Sequence, residues 1–190
     1  YFENLENNST LGGFHPGFDL IELNGSVDFE KALHKAWALW SQGWKTYLQA
    51  GTDTHDVMLE EEISGSMRTM VHTQGEVTVD NLVAAVKAGH SYATTGPLVY
   101  PLDMSFGETV MTQPGDNVHM PFKAVAAQGL DKVELIRNGE VTETVSFDNK
   151  PQRTDFAFDL KVQDDGWAAL VITDQEGNSA YTNPIWLDVR

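Results

Sequence analysis

The first half of the chain shows helical spacing between two short apolar runs. Between Asp28 and Gln42, apolar residues recur every three or four positions, as on one face of a helix. The residues on this face are Phe29, Leu33, Ala36, Trp37 and Trp40. Gly43 suits the left-handed position after a helix, so the pattern predicts a helix that ends there. Because apolar segments 18–25 and 44–50 flank it, we expect a βαβ unit.

A second helix is predicted from Thr78 to Ala88. Thr78 is suited to cap its start and Gly89 to end it. At helical spacing Leu82, Ala85 and Val86 fall on one face, which we expect to point inward. The preceding segment 58–74 shows no periodicity, so we predict irregular structure there.

From Leu98 onward, apolar and polar residues alternate between turn signals. Positions 156, 158, 160 and 162 keep a period of two, and Asn138-Gly139 is a strong hairpin signal. About seven short strands of this kind predict an antiparallel, immunoglobulin-like β-sandwich. We therefore expect two domains, an α/β domain over 1–97 and a β-sandwich over 98–190.

Composition narrows the range of functions. The formal net charge is −16, and so acidic a surface repels nucleic acids and anionic membranes. We therefore expect neither as a partner. Without cysteine, disulfides and thiolate metal sites are excluded, and both a cytoplasmic and a periplasmic or secreted location stay open. The chain begins at Tyr1 with neither an initiator Met nor a signal-peptide pattern, which we interpret as a processed or truncated product.

The segment after the second predicted strand carries candidate metal ligands. Asp53 and His55 are two positions apart, so they would project from the same side of a strand end. A carboxylate and a neutral imidazole that converge make half of a hydrolytic metal site. Asp56, directly beyond, is placed to orient His55, although a capping or surface role fits it equally well.

Several segments, taken in order, resemble one enzyme family. They are Phe18–Asn24, the Trp-containing helix, Ala50–His55, Val86–Pro97, Arg137–Gly139 and Tyr181–Ile185. Together they resemble the C-terminal half of a PHP-domain metallohydrolase, of the CehA/McbA type that includes carbaryl hydrolase. The resemblance extends from about Phe18 to the end of the chain.

The resemblance implies a remnant of a distorted (β/α)7 barrel followed by the sandwich. It also implies zinc, manganese or iron, with a metal-activated water that attacks an ester, amide or phosphoester. The family's ligand element maps onto Asp53 and His55, and its His-Pro element onto His15. The family's first His-x-His motif and the following Asp-His element are absent. We therefore expect a fragment of a hydrolase, whose metal site a missing N-terminal segment would complete.

A second function class stays open. In this alternative the chain is a non-catalytic β-sandwich module that binds a saccharide or a protein, with the α/β part as support. Exposed aromatic residues would favour it, but the alternation around Tyr100, Trp167, Tyr181 and Trp186 is typical of core packing.

Overall fold

The computed structural model describes residues 17–24, 29–55 and 64–190 of the 190-residue chain. The helices are α1 (Phe29–Ser41) and α2 (Val79–Lys87). The strands are β1 (Leu20–Asn24), β2 (Tyr47–Gly51), β3 (Arg68–Val71), β4 (Ser91–Thr94), β5 (Leu98–Pro101), β6 (Thr109–Thr112), β7 (Asn117–Val125), β8 (Leu130–Arg137), β9 (Glu140–Ser146), β10 (Arg153–Lys161), β11 (Gly166–Asp174), β12 (Ser179–Thr182) and β13 (Ile185–Val189).

Two packed sheets form the larger part of the molecule. The small sheet has the order β10-β7-β5 and is antiparallel. In the large sheet, β11 pairs with β8 along one edge and with β12 and then β13 along the other. From β5 onward the chain passes repeatedly from one sheet to the other, as in an immunoglobulin-like sandwich. The predicted β-sandwich is confirmed, and so is the hairpin at Asn138-Gly139, where φ is +50° and +94°.

Alternating residues of the two sheets form the main core. Phe122, Phe158, Leu135, Leu170 and Ile172 are all buried between the sheets. Phe122 stacks on Phe156 at 5.7 Å between ring centroids. The period-two pattern of the sequence thus identifies the inner faces of these strands.

The prediction that the α/β part is a remnant of a (β/α)7 barrel is wrong. Among the described strands, only β1 and β2 form a parallel pair joined by a helix. The next strand, β3, is antiparallel to β4, and β4 is antiparallel to β12 of the sandwich. Strands β3 and β4, which precede position 97, therefore belong to the large sheet of the sandwich and do not continue an alternation of parallel strands and helices.

A second core lies on the outer face of the large sheet. Helix α1 and the β1–β2 pair pack there against Trp167, Ala169, Ile136 and Trp186. Trp40 of α1 meets Trp167 edge to face at 5.0 Å. Strand β11 is therefore covered on both faces, which explains its uninterrupted apolar run from 167 to 172.

One buried amide joins the α/β unit to the sandwich. Asn183, between β12 and β13, is fully buried. Its Oδ1 accepts a hydrogen bond from the Leu48 N–H at 2.6 Å, and its Nδ2 donates to the Ser91 carbonyl at 2.9 Å. Because three elements share this side chain, the relative position of β2 and β4 is fixed.

Candidate functional site

Asp53 and His55, the two predicted metal ligands, lie side by side just beyond the carboxyl end of β2. His55 Nε2 lies 3.3 Å from Asp53 Oδ1, and the two side chains are 80% and 40% exposed. The cause of their proximity differs from the predicted one. Strand β2 ends at Gly51, and Asp53 has a φ of +54°, so a turn and not strand alternation brings the two side chains together.

The rest of the predicted ligand set is not assembled. His15 and Asp56 lie outside the described residues. Over the ranges given above, no three His, Asp or Glu side chains come close enough to hold a metal ion. Two donors fall short of the four to six that zinc, manganese or iron needs. The metal cofactor stays a prediction, and Asp53 and His55 stay its candidate ligands.

The PHP-domain fold that the resemblance implied is corrected on two findings. The described chain is dominated by a β-sandwich with no barrel, and that part of it holds no metal-ligand group of three. What the structure does show is a β-sandwich module with an α/β unit on one face.

Of the four aromatic residues weighed for ligand stacking, Tyr100 is 46% exposed, so the core-packing expectation is wrong for it, and the other three are buried or half-buried. Trp167 and Trp186 are 0% and 6% exposed, and Tyr181 is half-buried. A cleft of about 450 Å³ lies between the end of α1 and the large sheet, and Trp40, Trp167 and Trp186 line it. Because these rings are buried, they offer no open face on which a sugar could stack.

Helix α2 carries an uncovered apolar surface. Thr78 caps its start, as predicted, with its Oγ1 accepting the Asn81 N–H at 3.2 Å. Ala85 faces inward as expected, but the prediction is wrong for Leu82, which is 40% exposed. Val83 is 47% exposed, and Val77 and Val79 are each 76% exposed. We call these four residues (Val77, Val79, Leu82 and Val83) the α2 stripe.

The C-terminal end of α2 lies beside the α/β unit. Lys87 Nζ, in the last turn of α2, forms an ion pair with Asp19 at 3.3 Å, directly before β1. Gly89 ends the helix at a φ of +77°, and a Cβ there would lie 2.4 Å from the Tyr47 ring of β2. The close approach of this turn to Tyr47 therefore requires glycine.

The two edges of the β1–β2 pair differ. On the outer edge of β2, the Ala50 N–H donates to Thr69 Oγ1 at 2.7 Å, and that hydroxyl donates to the Ala50 carbonyl at 3.1 Å. Together with the bond from Leu48 to Asn183, these contacts complete this edge with side chains. Among the strands that the structure describes, β1 pairs with β2 alone.

Neither helix of the described chain has the length and apolarity that a membrane-spanning helix requires. The finding concerns only the residues described above.

No family model matches this chain. An uncharacterized protein of Chlamydia pneumoniae is 32% identical over 134 residues, which cover 60% of this chain and 21% of that protein. The chain thus spans about a fifth of the length of this curated relative, and the match does not show a family. The resemblance to the CehA/McbA type stays a prediction.

Solved structures with similarity to this chain share low identity with it. They include the titin domain M4 (19% identity, TM-score 0.35, 50% of this chain and 96% of that one). Another is a lytic polysaccharide monooxygenase of Jonesia denitrificans (12% identity, TM-score 0.36, 81% and 93%). At these TM-scores the similarities carry no argument, and the fold assignment depends on the strand pairing described above.

Proposed function

We propose that this chain is a protein-binding β-sandwich module of a longer polypeptide, and that α2 binds the remainder of that polypeptide. The observation that carries the proposal is the α2 stripe. It contains four of the eight large apolar side chains that are exposed in the described chain, within seven consecutive positions. The other four are Tyr100 and Leu102, which are two positions apart, and the separate residues Met111 and Val141.

The physical reason is the cost of leaving such a surface in water. Fully burying one Val or Leu side chain contributes about 1.5–3 kcal/mol. The α2 stripe could thus supply on the order of 5 kcal/mol toward docking, before the costs of association. Clustered exposed apolar residues rimmed by polar ones typically mark an interaction surface. Glu76, Asp80 and Asn81 form such a rim here.

Protein is favoured over saccharide as the bound partner. Stacking on a sugar needs open aromatic faces; Trp167 and Trp186 are buried, and Tyr100 is the one of the four weighed aromatic residues that is exposed. Helix α2 instead presents aliphatic side chains at the spacing used for helix-in-groove contacts. The length of the chlamydial relative supports a longer polypeptide as the source of the partner surface.

The test compares this chain alone with this chain mixed with the separately produced remainder of the polypeptide. We expect slower hydrogen exchange across α2 in the mixture, and a Kd that rises at least about tenfold for the double variant Leu82→Lys/Val83→Lys. Val141→Lys, on exposed β9, is the matched control and should leave the Kd unchanged. Equal exchange of α2 in both samples would overturn the proposal.

A further inference from the structure

We infer that the cavity at the end of the β3–β4 pair binds a Cu(I) ion through the imidazoles of His72 and His90, with the Met70 sulfur as third donor. This site is separate from Asp53 and His55. Binding of copper there does not require that α2 docks to a partner.

Strand pairing places the two histidines directly opposite each other. Strands β3 and β4 are antiparallel, with Val71 in register with Ser91, so the next pair along them is His72 and His90. The His72 N–H donates to the His90 carbonyl at 2.8 Å, which continues the pairing by one residue. Side chains of directly opposite residues lie on the same face of a sheet, with Cβ atoms about 4.5–5.5 Å apart. Both imidazoles can therefore reach one ion between them.

The backbone at His90 is also held from the side of α2. The His90 N–H donates to the Ala85 carbonyl at 2.9 Å. Gly89, directly before it, packs closely on the Tyr47 ring. With its N–H and its C=O both bonded, His90 has a fixed position opposite His72, and an ion bound by both requires little rearrangement of the chain.

His72 and His90 differ from the other described histidines in what surrounds their rings. The imidazoles of His55 and His119 each lie within 3.3 Å of a carboxylate oxygen, and His34 packs on a tryptophan ring. Within the described residues, the rings of His72 and His90 have neither a hydrogen bond nor an ion pair. The neutral imidazole is the form that binds metals, and these two rings have ring nitrogens available for it.

The lining of the cavity selects the kind of metal. The cavity has a volume of about 90 Å³, and its lining includes Met70, His72, His90, Tyr92 and Tyr100, with the rest apolar. Met70 is two positions before His72, so both lie on the same face of β3. In the described ranges, no Asp, Glu or further His joins the pair as a third ligand, which disfavours cations that prefer carboxylates. Imidazole and thioether donors suit copper, and Cu(I) is stable with few ligands.

Competition with a chromophoric Cu(I) chelator under reducing conditions tests the inference, with Cu(I) alone as the probe. We expect one Cu(I) per chain, and a Kd that rises at least about tenfold for His72→Ala and for His90→Ala. The exposed His119 supplies the matched control, His119→Ala, which should leave the Kd unchanged. An unchanged Kd in the double variant His72→Ala/His90→Ala would overturn the inference.

Met70→Leu tests the third donor. It keeps an apolar side chain of similar volume and removes the sulfur. The Kd for Cu(I) should rise at least about threefold, whereas the Kd for Zn²⁺, which does not depend on the sulfur, should stay the same. Asp53→Ala/His55→Ala should leave Cu(I) binding unchanged. Equal Cu(I) affinity in Met70→Leu, or loss of Cu(I) binding in the Asp53/His55 variant, would contradict the assignment.

The native chain offers a readout that needs no substitution. When Cu(I), which is diamagnetic, is added, the Hε1 proton resonances of His72 and His90 should shift, and those of His55 and His119 should not. Shifts confined to other histidines would mean that copper binds only adventitiously elsewhere on the surface, and the proposed site would then be wrong.

Discussion

Helices α1 and α2 have similar amphipathic patterns but opposite environments. The stripe of α1 is buried, with Leu33, Ala36 and Trp40 between 0% and 5% exposed, against the outer face of the large sheet. On α2, Ala85 is buried while Leu82 and Val83 remain in solvent. Helical spacing thus predicts that a helix has an apolar face, but it does not predict what covers that face.

The difference follows from what lies on each side of the large sheet. Strand β11 has apolar residues on both faces, so its outer face needs a cover, and α1 supplies it. Helix α2 packs on the short strand β3, and its C-terminal end contacts Asp19 and, through the turn at Gly89, Tyr47. Its stripe has no corresponding apolar sheet within the described chain, and we propose that the cover comes from outside.

We expect the largest loss of stability from a substitution at the contact between α1 and the sandwich. Trp40→Ala removes the ring that packs on Trp167 and the Nε1 hydrogen bond to the Thr46 carbonyl at 2.7 Å. The free energy of unfolding in urea should fall by about 3–5 kcal/mol. Trp37→Ala, at a half-buried position of the same helix, is the control and should cost less. Equal losses for both would mean that α1 is not held by this core contact.

Asn183→Ala should be the next most damaging change. It leaves the buried Leu48 N–H and the Ser91 carbonyl without their partner. Each unsatisfied group costs about 1–3 kcal/mol, so unfolding should require roughly 2–4 kcal/mol less. Ser91→Ala removes only the hydroxyl that Asn183 Nδ2 also contacts, and serves as the milder control. A loss below about 1 kcal/mol for Asn183→Ala would show that water replaces the amide.

Tyr92 is buried in the main core of the sandwich, in contrast to the exposed apolar side chains of α2. Burial raises the pKa of Tyr92 to about 12 from an ordinary value of 10.0, partly offset by the Val99 N–H that its hydroxyl accepts at 3.1 Å. Folded protein thus holds this proton after the unfolded chain has lost it. Stability is fully present below pH 10 and falls as the pH rises to about 12.

The measurement is the free energy of unfolding from pH 9 to about 12 for the native chain and Tyr92→Phe. The native chain should lose more stability over this range, by roughly 2 kcal/mol. Tyr47 and Tyr181, whose pKa values burial also raises, contribute to the alkaline loss in both proteins. Identical slopes would contradict the role of Tyr92.

We expect the smallest loss of stability from substitutions on α2, and this loss tests whether its apolar side chains are exposed where those of α1 are buried. Leu82→Ala and Val83→Ala should each change the free energy of unfolding of this chain by no more than about 0.5 kcal/mol, because both side chains are already in water. The equivalent Leu33→Ala on α1 should cost about 2–5 kcal/mol. A large loss for Leu82→Ala would show that the α2 stripe is covered in the isolated chain.

Local patterns predicted much of the fold correctly. The helix expected at 28–42 is α1, Phe29–Ser41, and Gly43 after it has a φ of +84°. Strand β3 was missed because its four residues show no alternation, and pairing with β4 defines it.

The candidate sites, like the fold, were predicted only in part. The proximity of Asp53 and His55 was predicted, but a positive φ at Asp53 and not strand geometry produces it. The exposure of Leu82 and Val83 was not predicted, since their spacing is identical to that of a buried face. One signal was available for the second core, namely the uninterrupted apolar run of β11, which is typical of a strand covered on both faces.

The sequence by itself determined the helices, the hairpin and the alternating strands, because spacing and turn chemistry act over a few residues. Only the tertiary structure shows that the α/β unit packs on the sandwich, that Asn183 joins them, and that the α2 stripe is exposed within the described part of the chain. These features depend on residues up to 135 positions apart, as between Leu48 and Asn183, and no local pattern encodes such a contact.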